Sequence, residues 1–180
     1  MSGGLPLVGL VASVRIQASL LLPVSLVSCV PAYVWGPHRL DLTASVAVAL
    51  LLFATTFSAL LKARRPWYET RLAQMTPPPP TAELVARDQT FDLFSRGLTK
   101  PLLLVLLIGL ALSYATGMPA GMLLAGLAAA MLRQSRCLAA EEKRLGGRIV
   151  CLHTPVHVTA DDPNGPAYRR ARFWIVREVT

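Results

Sequence analysis

The chain has 180 residues, 53% of them hydrophobic and only 16% charged, with a mean hydropathy of +0.49 and a formal net charge of +8. Apolar residues gathered into long blocks exclude an ordinary soluble domain and point to membrane-spanning helices. The basic surplus comes without any DNA- or RNA-binding motif, so no nucleic-acid partner is expected.

The first charge-free block, 16–37, follows a lone Arg15 and predicts a membrane helix over 16–35. It is too long for a secretory leader, has no small-x-small cleavage site and is followed by further spans, so it reads as a retained helix. Pro23 and Pro31 would bend it, and Tyr33 and Trp35 would sit in the aromatic belt at its end. Gly36-Pro37-His38 is the expected turn.

A second block, 42–61, predicts another span, rich in the small residues that allow close helix packing. It ends in Lys62-Ala-Arg-Arg-Pro66-Trp67-Tyr68, a basic and aromatic collar. The segment 62–100 reads as a loop outside the membrane. Its four consecutive prolines, Pro77 to Pro80, favour extended polyproline II, and Phe91, Leu93, Phe94 and Leu98 suit a short amphipathic helix on the membrane surface.

The third block, 101–132, is longer than one crossing, and Thr116-Gly117-Met118-Pro119-Ala120-Gly121 interrupts it with a turn signal. It predicts a tight hairpin of two short helices, 101–115 opened by Pro101 and 119–132, closely packed through Gly109, Gly117, Gly121 and Gly126. The apolar run then stops at Arg133 and Arg136, and at the adjacent carboxylates Glu141 and Glu142. In the tail 133–180, Ile149-Val-Cys-Leu-His and Val156-His-Val-Thr alternate weakly, Asp161-Asp-Pro-Asn-Gly-Pro is a turn signal and Phe173-Trp-Ile-Val is a further apolar segment, a pattern compatible with a small β-hairpin or with an interfacial segment.

About four membrane helices in one domain, 1–180, make an all-α integral membrane protein with a small cap from its C-terminal tail. Lys and Arg crowd the 62–100 segment and the tail, and the other connections hold almost none. The positive-inside rule therefore places the N- and C-termini in the cytoplasm. Cys29, Cys137 and Cys151 have no metal-ligand spacing, and Pro155 breaks the helix that His153 and His157 would need to share a metal, so no metal is expected. No acidic residue lies within the three blocks, which argues against proton-coupled transport.

The order of pieces resembles a family. Thr76 and the prolines precede Leu84-Val85-Ala-Arg87. Next come Phe94-Ser-Arg96, Thr99-Lys100-Pro101, the hairpin, Glu141-Glu142-Lys-Arg-Leu145 and Tyr168-Arg-Arg. The whole is similar to the isoprenylcysteine carboxyl methyltransferase and phospholipid methyltransferase family of integral membrane enzymes, over roughly 42–175. Lys100 stands where that family has His or Asn before the proline, Leu103 where it has an aromatic, and Asp88-Gln-Thr-Phe where it has Gly-Pro-Tyr-Arg. The resemblance implies an S-adenosylmethionine-dependent methyltransferase whose cofactor lies near Arg96, Lys100, Pro101, Glu141 and Glu142, with no catalytic residue assigned. The cofactor would enter from water, and the lipophilic or small acceptor would enter from the membrane lipids. The alternative is a non-catalytic membrane subunit or scaffold whose basic loop and tail dock a protein partner.

Overall fold

The computed structural model describes residues 5–35, 40–79, 82–153 and 172–177. The turn expected at 36–38, Thr81, His157, the turn at 161–166 and Tyr168 to Arg170 lie outside the described residues.

The described residues form four helices that alternate in direction: α1 Leu10–Val34, α2 Leu42–Ala73, α3 Arg87–Thr116 and α4 Gly121–Leu145. Three are long and apolar enough to cross a membrane, Leu10–Val34, Leu42–Ala73 and Gln89–Thr116. The fourth expected crossing, 119–132, falls on the apolar first half of α4; the distal half carries Arg133, Arg136, Glu141, Glu142, Lys143 and Arg144, and α4 is not among the three. The spanning helices expose large apolar side chains as a bilayer requires, among them Leu26 at 67%, Leu42 at 75% and Leu107 at 63%.

The helices outrun the sequence-based boundaries on their polar sides. α1 begins at Leu10 and carries Arg15 within it, where a start near 16 was expected. α2 continues through Pro66 to Ala73, and α3 starts at Arg87, so much of the expected 62–100 loop is helix. Pro101 lies inside α3 rather than at its start. It cannot donate to the carbonyl four residues back, and that residue is Gly97, which adds no side chain to the crowding.

The predicted hairpin is real as a connection but not as a packing unit. Gly117 adopts the left-handed conformation (φ 68°) that ends α3, and the Ser113 hydroxyl accepts the Ala120 amide at 3.1 Å to close the turn. Yet α3 and α4 barely touch, because α1 packs between them and α4 packs in turn on α2. The glycines show why. A Cβ on Gly109 would meet Ser28 of α1, one on Gly121 would overlap the Ser25 carbonyl of α1, and one on Gly126 would come 2.6 Å from the Phe53 carbonyl of α2. The small residues therefore serve α3–α1, α1–α4 and α4–α2 contacts, giving the lateral order α3–α1–α4–α2.

The all-α class is corrected at this end, where a cap built partly from the tail is a mixed sheet. Strands β1 Leu5–Gly9, β2 Ala82–Leu84, β3 Arg148–Leu152 and β4 Phe173–Val176 lie in the order β2-β1-β3-β4. β1 pairs parallel with β2 and antiparallel with β3, and β3 pairs antiparallel with β4. Side-chain alternation divides the sheet. Ile149 and Phe173 join Leu10, Val14, Tyr68, Met131 and Leu138 in the main core, and Leu7, Val150 and Leu152 form a second cluster. The sheet sits where α1 and α3 begin and α2 and α4 end, so every polar helix end gathers at one end of the molecule.

Candidate functional site

In α4 the residues Ala128, Met131, Ser135 and Leu138 are buried at helical spacing, a stripe directed at α1 and the sheet. Glu142 is the next position on that stripe. Its carboxylate accepts the Ile149 amide at 2.9 Å, and its backbone carbonyl accepts the Gly147 amide at 3.2 Å. Gly146, left-handed at φ 61°, makes the intervening turn possible.

Glu141 lies about 100° around the helix from its neighbour, as 3.6 residues per turn dictates. It belongs to the row Gln134, Cys137, Glu141, which faces α2 across a cavity of about 450 Å³. There it meets Arg65, Tyr68, Glu69 and Arg133, and its carboxylate pairs with Arg144 at 2.6 Å. Glu142 instead borders a different cavity of about 300 Å³, formed by the first turn of α1, Arg15, Leu84, Val85, Thr90 and Arg148.

The five residues that the sequence grouped therefore do not share one cavity. Arg96 and Lys100 are exposed on α3, in register with the exposed Leu103 and Leu107 and opposite the buried Thr90, Gly109 and Ser113 row. That is the position of cations reaching from the lipid-facing side of a helix to water. Pro101 is built into the middle of the same helix, and neither cavity includes any of these three.

Sequence reasoning passed over Arg65, Tyr68 and Arg133, which line the α2–α4 chamber. The signal was present in the spacing: Leu61, Arg65, Tyr68, Glu69 and Leu72 recur at three and four residues, as do Gln134, Cys137 and Glu141. Below that chamber the same two helices form an open apolar groove of about 510 Å³, lined by Thr55, Thr56, Ala59, Leu60, Leu123, Leu124 and Leu127.

Two titratable groups at the sheet end are shaped by burial. Desolvation pushes the Cys151 thiol up to about 12, opposed in part by a hydrogen bond with Ser13. Desolvation also holds His153 below its ordinary value. Its ring meets Phe94 edge-on at 5.1 Å, and its Nδ1 is buried without a hydrogen-bond partner among the described residues. All three cysteines are free, and among the described residues no group of three or more His, Cys, Asp or Glu could hold a metal ion.

No family model matches the sequence, and neither curated proteins nor solved structures give a match.

Proposed function

We propose that the chain is a non-catalytic membrane subunit that docks an acidic protein partner on its basic end. The observation that carries this reading is how the carboxylate pair is used. Glu141 is paired with Arg144 and Glu142 holds the Ile149 amide, while Lys62, Arg136, Lys143 and Arg172 stay exposed. Such a rim attracts and orients an acidic surface more than it supports chemistry. By the positive-inside rule this end faces the cytoplasm, with both termini on that side. Affinity purification in mild detergent at low salt is expected to recover a stoichiometric acidic partner. That partner should dissociate toward 1 M salt, where the screening length falls to about 3 Å. A partner-free particle at low salt, with Lys143→Glu behaving as wild type in its native membrane, would remove the proposal.

A second reading, S-adenosylmethionine-dependent methyl transfer, is favoured by one feature. The polar chamber holding Glu141 lies directly above an apolar groove. A water-borne cofactor and a lipophilic acceptor would meet at that boundary, with catalysis mostly by positioning. Isothermal titration with S-adenosylhomocysteine tests it. Heat that is lost in Glu141→Ala supports the reading, and no heat at millimolar ligand removes it.

A further inference from the structure

The furrow between α2 and α4 changes character at a definite level. Lys62 is the first charge on α2 after its apolar run, and Arg133 is the first on α4. Below them Thr55, Thr56, Ala59, Leu60, Leu123 and Leu127 line the open groove. The two threonines add no polar demand there, because their hydroxyls donate to the Leu51 and Leu52 carbonyls at 2.7 and 2.9 Å. Above the same level the chamber is lined by Arg65, Tyr68, Glu69, Arg133, Gln134 and Glu141.

We infer that this furrow binds one membrane glycerophospholipid, with an acyl chain in the α2–α4 groove and its phosphate on Arg133 and Arg65. The dimensions agree. From Thr55 to Leu72 the furrow runs about 25 Å along α2, and one leaflet with its headgroup layer is about 20–22 Å thick. The charges also agree. Arg133 has no hydrogen bond or ion pair among the described residues, and it is the first charge beyond the apolar half of α4. Among the described residues Arg65 is held by Glu69 at 2.9 Å, and both side chains are largely exposed, at 81% and 62%. An exposed pair of that kind is worth little and yields readily to a phosphate. The arginine fork is suited to a phosphate in two-point contact. Glu141 does not oppose the anion with a free charge, since Arg144 takes it. The groove decides between a lipid and a free phosphate: only an amphiphile fills both compartments at once. The site stands whether or not the basic end carries a protein partner.

Native mass spectrometry of the full chain, stripped of lipid in detergent and titrated with dioleoyl phosphatidylglycerol, tests the inference. One adduct is expected to persist at collision energies that remove the rest. Arg133→Gln should lower its occupancy about tenfold, whereas Arg96→Gln, on the outer face of α3, should leave it unchanged. Ala59→Trp, which fills the groove and leaves the arginines in place, should also abolish it, and Leu127→Trp serves if that variant does not fold. Glycerol 3-phosphate should not bind. A graded series of adducts with no persistent member, or equal occupancy in Arg133→Gln and Arg96→Gln, would mean ordinary boundary lipid and overturn the site. Binding of glycerol 3-phosphate as strong as that of the lipid would overturn the role of the groove.

Discussion

The Glu142 carboxylate and the Ile149 amide meet at 2.9 Å across the glycine turn that joins α4 to β3. Ile149 is fully buried in the core where the sheet meets the helices. The bond thus fixes the angle at which the sheet leaves the helical part, and it makes Glu142 a structural residue. Removing the acceptor leaves a buried donor unsatisfied, at a cost of about 1–3 kcal/mol. Glu142→Ala is expected to lower the thermal midpoint in detergent by several degrees, and Glu142→Gln, which keeps an acceptor oxygen, by much less. Equal losses in the two variants would show that the hydrogen bond is not what matters there.

Helix spacing supplies a second expectation. Gly121→Ala should strongly reduce folded yield, because the added methyl would overlap the Ser25 backbone, and Gly126→Ala should destabilise by pressing on the Phe53 carbonyl. Gly9→Ala is the control, since its Cβ would make an ordinary 3.8 Å contact with Ala12. Size-exclusion recovery and thermal midpoints of the three variants should fall in that order, with Gly9→Ala near wild type.

Docking of the last strand onto α2 depends on one ring. Phe173 is 4% exposed and lies 5.6 Å from Trp67 and 5.8 Å from Tyr68, and the Arg71 guanidinium caps the outer Trp67 face at 3.9 Å. Phe173→Ala is expected to cost about 3–5 kcal/mol through the lost burial and the cavity left behind. The loss should appear as faster proteolysis of the tail and a red-shifted tryptophan emission. Arg71→Gln, which removes the cation–π contact with Trp67 and leaves Phe173 in place, should cost less than Phe173→Ala.

Acid should loosen the sheet end through His153. Burial lowers its pKa below the ordinary 6.5, so on acidification the unfolded chain takes up the proton first. Its contribution to stability is intact above about pH 6.5 and is lost as pH falls below that value. The thermal midpoint of wild type should therefore drop from pH 7.5 to pH 5.5 by more than that of His153→Phe. Identical slopes would assign the acid response to other groups.

The apolar blocks were legible in the sequence because lipid imposes a length and a polarity that need no knowledge of neighbours. The ends of the helices were not. Charges at Lys62 and Arg133 mark where the membrane stops, whereas α2 and α4 continue because Tyr68, Leu72, Ser135 and Leu138 keep an inward face beyond it. Glu141 and Glu142 were legible as polar residues at the right end. They were read as one site, although adjacent positions on a helix point about 100° apart. Of the two alternatives for the tail, strands hold at Arg148–Leu152 and Phe173–Val176, a choice that depended on pairing with partners distant in sequence. β1 gave almost no signal: a five-residue segment that ends in Gly9 and holds Pro6 does not announce an interior strand.

That short strand also sets an order of events during synthesis. β1 is synthesised before both of the strands that flank it in the finished sheet, Ala82–Leu84 and Arg148–Leu152. At about 5–20 residues per second, it waits on the order of ten seconds for its second neighbour, while the helices between are already entering the bilayer. Leu7 and Val8, fully buried in the finished cap, lack their β3 neighbours for that interval. The sheet thus closes only after β3 has been made, and anything that shields or displaces Leu5–Gly9 in the nascent chain acts on that late step of its folding.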